Sequence, residues 1–490
     1  MASKRDLDLI RAAAEGEVAN VVNLLEKGAH VNARHKSGTT ALLAAALSGH
    51  AEVVNTLIVQ GADLKMRYRN DSTALILVAI QGDTEMVKLL ISRGADVDAR
   101  AKEGTTALLA ASATGNVEMV RTLLDAKASL EQKDHASVTP LLAAIANDYI
   151  NVARLLVDAG ADVNADCHNG SALQVTAAKG DEEMLRLLLG KGARTEPKSG
   201  QSPLMLAAAN SHLEAVRILV QAGADVNVRD GNGVSPLLVA SVNGQTDMVK
   251  VLLNAQANPN ALATRIESGE TARGANGHAA ENDANDFVPA GASMAADVGT
   301  SPLMVAALHG HTAVVEALLS SGADPNVRDA SGATALLAAA MSGHGETVEA
   351  LLGVEAGKET AREHGGRALL AAVLGGHLGV VEALLKHSVD PNARSDSGNP
   401  SLLVAVVNGQ AEIARALLDR GADVNGADQK GTTPLIFAAA DANTNLIEMM
   451  LAAGADVNAR TKQGLTAMMA AGLADRWDLV ERLKQAGATE

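Results

Sequence analysis

Aromatic side chains are nearly absent: two Phe, two Tyr and one Trp in 490 residues. A core of ordinary globular type draws much of its buried area from such rings, so any core here must be aliphatic, and 47% of the chain is hydrophobic. Cysteine is scarcer still. Cys167 stands alone, which excludes a disulfide within the chain and fits a reducing compartment. No apolar run approaches the roughly 20 residues that a membrane-spanning helix needs, and the segment from Met1 to Arg11 reads as the start of a charged amphipathic helix rather than a signal peptide. Cytoplasm is therefore the expected compartment, with the nucleus as the alternative. Positive charge is in deficit as well: the formal charge of −16 disfavours general nucleic-acid binding, because phosphate contacts need a positive field.

What the chain has in abundance is repetition. Gly28, Gly61, Gly94, Lys127 and Gly160 are evenly spaced, and so are Glu355, Ser388, Gly421, Gly454 and Gly487, each 33 residues from the next. Such a period means a solenoid. Around each turn the same pattern returns, as in Gly38-Thr39-Thr40-Ala41-Leu42-Leu43-Ala44-Ala45-Ala46, then Gly49-His50, Val53-Val54, Leu57-Ile58 and Gly61-Ala62-Asp63. Each repeat predicts two short helices and an extended finger. The first helix opens at Thr or Ser (Thr40, Thr106, Ser235, Thr466), often followed by Pro, and ends at Gly (Gly49, Gly115, Gly310). The second carries apolar pairs at helical spacing. No repeat can bury its own apolar face, so stability must come from neighbours, and the end repeats are expected to be polar outside.

The pattern resembles the ankyrin repeat, whose signature is Thr-Pro-Leu-His, two Ala, a Gly-His turn, and Leu-Leu before Gly-Ala-Asp-Val-Asn. The resemblance covers nearly the whole chain in about fourteen repeats. It implies an all-α repeat solenoid of stacked helix-turn-helix units with β-hairpin or loop fingers. It also implies a non-enzymatic scaffold or adaptor that binds a protein or peptide on a concave face formed by finger tips and first helices. The His of the signature is replaced almost throughout, by Leu43, Leu109, Leu142, Met205, Leu337 or Met469 for example, so apolar packing should carry more of the contact between repeats.

Nothing in the chain converges on catalysis. Cys167-His168 falls at a finger tip and reads as a solvated finger. His50, His311, His344 and His377 follow the turn Gly and should cap helices rather than bind metal, while the Asp of each Gly-Ala-Asp (Asp63, Asp324, Asp456) reads as a turn acceptor. No phosphate loop, zinc spacing or triad is present, and neither cofactor nor metal is expected.

Two rows of residues could meet a partner. Six residues after each turn a basic residue recurs. In the first three repeats it is joined by others, as Arg34-His35-Lys36, Arg67-Tyr68-Arg69 and Arg100-Ala101-Lys102. This basic patch on an acidic protein suits an acidic partner, with plain solvation as the alternative, and Tyr68 sits at a tip where packing does not require it. The other row lies seven residues after each helix-opening residue, where Leu308, Met341, Leu374 and Val407 would line a groove. The competing reading is that they pack on the next repeat.

Between Gln256 and Gly322 the turn spacing doubles to 66 residues. The expected organisation is 1–260 as N-terminal repeats, 261–298 as an irregular insertion or decayed repeat, and 299–490 as C-terminal repeats, all one continuous, monomeric array. A second fault, Gly353 to Gly366, keeps the spacing but loses the Asp-Val-Asn finger. Other functional classes compatible with such an array are a substrate-recognition subunit of a larger enzyme complex, such as a ubiquitin ligase, and a secreted effector acting in a host cell.

Overall fold

Thr40 Oγ1 accepts the Leu43 amide at 3.2 Å, and Thr106, Ser235 and Ser301 do the same for Leu109, Leu238 and Met304. Each such hydroxyl satisfies one of the amides that a helix start leaves free. The computed structural model describes residues 3–68, 70–168, 170–198, 200–263 and 299–489. Among them are 28 α-helices, which follow one another as pairs of a capped first helix and a second helix. A typical first helix has seven residues, as in Ala41–Leu47, and a typical second has nine, as in Ala51–Val59. Helices this short are marginal alone, so packing must hold them. The fingers are turns rather than strands. Asp166–Cys167 pairs antiparallel with Gly170–Ser171, and elsewhere a single pair such as His35 N–H to Thr39 O closes the finger.

The described residues form two compact units, Met1–Asp225 and Val226–Glu490. Within each, first helices pack against first helices and second against second. Leu42, Leu43 and Ala45 of one pair, with Val53, Val54 and Leu57, are almost wholly buried, and the same places are filled by Leu402, Leu403 and Ala405 with Ile413, Ala414 and Leu417. The Asp residues of the turns accept the amide two residues on, as Asp63 does from Lys65 at 2.9 Å and Asp456 from Asn458 at 2.9 Å. Asn side chains tie one finger to the next: Asn392 Oδ1 accepts the Asp423 amide at 2.7 Å while its Nδ2 donates to Gly421 O.

The histidines do cap helices, but not their own. His50 and His311 start second helices, but their side chains do not bond to them. Instead the His311, His344 and His377 Nε2 donate to the carbonyls of Val242, Leu308 and Met341, at 3.0, 3.1 and 3.1 Å. Those carbonyls end the first helix of the preceding pair and have no partner within it. His212 does the same for Ala178 O, while Lys179 and Gln81 reach the corresponding Ala146 O and Leu47 O. The accepting carbonyl is therefore the constant, and side chains from either side of the turn reach it.

Residues 264–298, most of the segment expected to be an insertion or decayed repeat, lie outside the described residues. The residues on either side meet: Ala263 N–H donates to Thr300 O at 2.9 Å and Gly299 N–H to Ala263 O at 2.8 Å. Leu238, Ala263 and Val305 share one core, so the pairs flanking the segment stack directly.

The second fault takes a form that the spacing did not reveal. A single 21-residue helix, Glu355–Gly375, replaces both the finger and the first helix. Its first half is rich in strong helix formers, Glu, Ala, Lys and Arg, and lacks the Asp-Val-Asn turn. Gly357 lets it pass the preceding helix, because a Cβ there would stand 1.8 Å from Leu351 O. Thr360 Oγ1 donates to Asn326 Oδ1 at 2.6 Å, taking the place of a finger-to-finger bond.

Candidate partner-binding surface

The basic finger set lies in the first unit. Arg34, Lys36, Arg67, Arg100 and Lys102 are exposed and Tyr68 is half-buried, while Arg69 lies outside the described residues. Two of these guanidiniums bind their own fold. Arg67 Nη1 donates to Arg100 O at 2.5 Å and to Asp71 O at 2.7 Å, and Arg100 Nη2 donates to Lys133 O at 2.7 Å. Arg34 reaches Met66 Sδ at 3.6 Å. These residues link successive fingers through neutral carbonyls, so their positive charge is not cancelled by the contact.

The apolar row lies in the second unit. Met341 is 58% exposed, Leu374 64% and Val407 48%, while Leu308 is half-buried. Helical geometry explains the exposure. Each stands on the last turn of its first helix, whose other faces are committed to packing: Leu336, Ala339 and Ala340 are buried beside Met341, and Leu402, Leu403, Ala405 and Val406 beside Val407. Leu473 and Ile80, at the same place in other pairs, are exposed too. The carbonyls of Leu308 and Met341 are the ones that the histidine latch fixes, which holds the backbone beneath the row.

Cys167 Sγ donates to Gly170 O at 3.2 Å within its own finger, and His168 Nδ1 to Ala136 O of the preceding finger at 2.8 Å. Among the described residues no cluster of His, Cys, Asp and Glu could hold a metal ion, and no helix is long and apolar enough to cross a membrane. A cleft of about 410 Å³ lies along the second helices, lined by Glu349, Glu382, Lys386, Asp419 and Arg420. Glu349 is occupied there by His387 and Lys386, each at 2.9 Å, which hold its carboxyl below the usual range, and Arg420 donates to Leu385 O at 2.8 Å.

One expectation about the ends needs correcting. The last helix pair leaves Met469, Leu473 and Trp477 exposed at 42%, 80% and 69%, beside the polar Arg482, Lys484 and Gln485. Met469 sits where Leu43 is buried by the following pair, and nothing in the described residues covers it.

Segments of the sequence match the family described as ankyrin repeats (3 copies) at residues 9–101, 44–134, 75–167, 129–199, 173–263, 277–364, 337–428 and 402–489. Among solved structures, an ankyrin repeat domain from Acinetobacter baumannii AYE is 30% identical, covering 38% of this chain and 98% of that domain, with a TM-score of 0.37. The family matches span nearly the whole sequence and agree with the observed helix pairs: the chain belongs to the ankyrin repeat family. Repeats of this family are generally protein–protein interaction modules and typically not enzymes.

Proposed function

We propose that this protein is a non-enzymatic interaction scaffold, working as an intracellular monomer, that holds a protein or peptide partner along Leu308, Met341, Leu374 and Val407. The observation that carries this reading is the exposure of three large aliphatic side chains at one place in consecutive helix pairs. The fold does not demand them, since Ala113, Ala146 and Ala440 stand at the same place in other pairs. Burying one such side chain is worth about 1.5–3 kcal/mol, so a partner that covers the row gains much of an ordinary binding energy from it.

A second reading places an acidic partner on Arg34, Lys36, Arg67, Tyr68, Arg69, Arg100 and Lys102. It is favoured by the uncancelled charge of that set. It is weakened by the work that Arg67 and Arg100 already do between fingers. Adaptor, recognition subunit of an enzyme complex and host-directed effector differ only in what the surface holds.

The test is capture by the full-length chain from extract, read by mass spectrometry, with one variant carrying Ser at Met341, Leu374 and Val407 and another carrying Ser at the finger cations. Loss of partners from the first variant alone, with its thermal unfolding unchanged, supports the apolar row. Loss from the second alone transfers the site to the fingers, and co-captured catalytic subunits would mark a recognition subunit.

A further inference from the structure

Building on the reading of the apolar row as the partner site, we propose that its occupant is an amphipathic α-helix of the partner, lying along the row with an apolar side chain every seventh residue and acidic residues towards the fingers. Spacing and the chemistry of the row together select the conformation. Met341, Leu374 and Val407 stand on the last turns of Ala335–Ser342, Glu355–Gly375 and Ser401–Val407, three helices that pack side by side. Packed helices lie about 8–10 Å apart, and so therefore do the anchors. An α-helix rises about 1.5 Å per residue and presents the same face again after seven residues, about 10.5 Å on. A β-strand presents one face every second residue, at about 6.6 Å and then about 13 Å, and loses register after a single contact. A polyproline helix repeats at about 9.3 Å, but its ligands dock into aromatic-lined grooves, and this row is Met, Leu and Val. Leu308 adds a fourth anchor, so the matching helix is about 22 residues long.

Charge sets its orientation. On the finger side of the row the exposed charges include Arg367 and Lys430, against Asp396 and Glu359, while Arg394 donates from Nη1 to the neutral carbonyls of Gly398 and Ala427, which leave its charge uncancelled. Asp329 and Asp428 are turned inward: each accepts backbone amides of its own finger, Asp329 from Ser331 and Ala333, and Asp428 from Lys430 and Thr432. Glu363 is paired with Arg328 at 3.8 Å. Arg367 and Lys430 are thus exposed and Arg394 keeps its charge, while much of the acid is engaged by its own finger or by Arg328. At Leu374 the finger is gone, its residues drawn into the helix Glu355–Gly375, and the wall beside the row is a rigid helix carrying Arg367. An acidic flank on the incoming helix complements that wall.

The experiment measures fluorescence anisotropy of labelled peptides against the full-length chain. The probe is a helix of about 26 residues, locked by a side-chain cross-link, with Leu at every seventh position and Glu beside it. Three controls keep its length: Leu at every second position, Leu at every third in a proline-rich chain, and the heptad helix with Lys for Glu. The heptad–Glu helix should bind at least about tenfold tighter than each control, a difference of about 1.4 kcal/mol, and should lose its binding when Met341 and Leu374 are changed to Ser in a protein of unaltered melting temperature. Tighter binding of the alternating or proline-rich peptide, still lost on changing the row, overturns the helix and leaves the row as a partner site. A Lys helix that binds as well as the Glu helix overturns the charge assignment. Binding that survives the row changes, or no binding by any peptide together with unchanged capture by the row variant, overturns both readings.

Discussion

The His344 imidazole donates from Nε2 to the Leu308 carbonyl at 3.1 Å, across the junction between two helix pairs. The same ring roofs Gly310, where a Cβ would stand 2.5 Å from Nδ1 and where φ is +69°. The bond is worth about 1 kcal/mol, and a carbonyl left unpaired and partly buried costs about 1–3. His344→Ala should therefore lower stability by about 1–2 kcal/mol, and Gly310→Ala by more, because it adds a clash to an unfavourable φ. Urea unfolding measures both. Equal stability of Gly310→Ala and the parent would show that the ring does not rest there.

Lys127, Gln256 and Ser388 hold φ of 67°, 69° and 63° at the turn where other pairs have Gly. The left-handed region costs a side-chain-bearing residue about 1–2 kcal/mol, part of which Gly returns through its looser unfolded state. Each Gly replacement should raise the urea midpoint, by about 0.5–1 kcal/mol in stability, at unchanged slope. A lower midpoint in all three would mean that their side chains do more than fill a turn.

Gly357→Ala introduces a Cβ 1.8 Å from Leu351 O, a backbone atom that cannot swing aside. The expected result is local: amides from Glu355 to His364 exchange faster, and trypsin gains access at Lys358 and Arg362, while Leu369 to Val373 stay protected. Unchanged exchange through this stretch would contradict the close passage of the two helices.

Asp6 accepts the His30 amide at 2.8 Å and the Ser3 amide at 2.7 Å, and these bonds, the His30 one first, hold its carboxyl below its ordinary value. A depressed carboxylate contributes stability that is fully present above the unfolded pKa of about 3.9. It is lost as pH falls through the lower folded value. Protection of the His30 amide from exchange should therefore persist through neutral and mildly acidic pH and fail only below the usual aspartate range. In Asp6→Ala it should be weak at every pH. A loss of protection near pH 6 in the parent would assign the bond to another group.

The period, the Thr and Ser caps, the turn glycines and the aliphatic core could all be read from the sequence, because each is a local constraint repeated at a fixed interval. The direction of the histidine latch was not readable: His50 precedes a helix in sequence, and only stacking shows that its partner is Ala14 O in the pair before. Nor was the helix Glu355–Gly375, since counting residues preserves register whether they form a finger or a helical extension. Sequence placed Met341 and Leu374 in one row but could not say whether a neighbour covers them, as exposure depends on the surfaces of three adjacent helices. The finger cations show the reverse. Their clustering was legible, while the carbonyls that Arg67 and Arg100 hold belong to residues 33 positions away.

The most direct test of the account is calorimetric titration of a captured partner into the full-length chain at several temperatures, beside the variant with Ser at Met341, Leu374 and Val407. Burial of apolar surface gives binding a negative heat-capacity change. The parent should show that sign. The variant, folded and melting at the same temperature, should bind at least about a hundredfold more weakly, with a smaller heat-capacity change. A variant that binds with the parent's affinity and heat-capacity change would contradict the assignment of the apolar row as the partner surface.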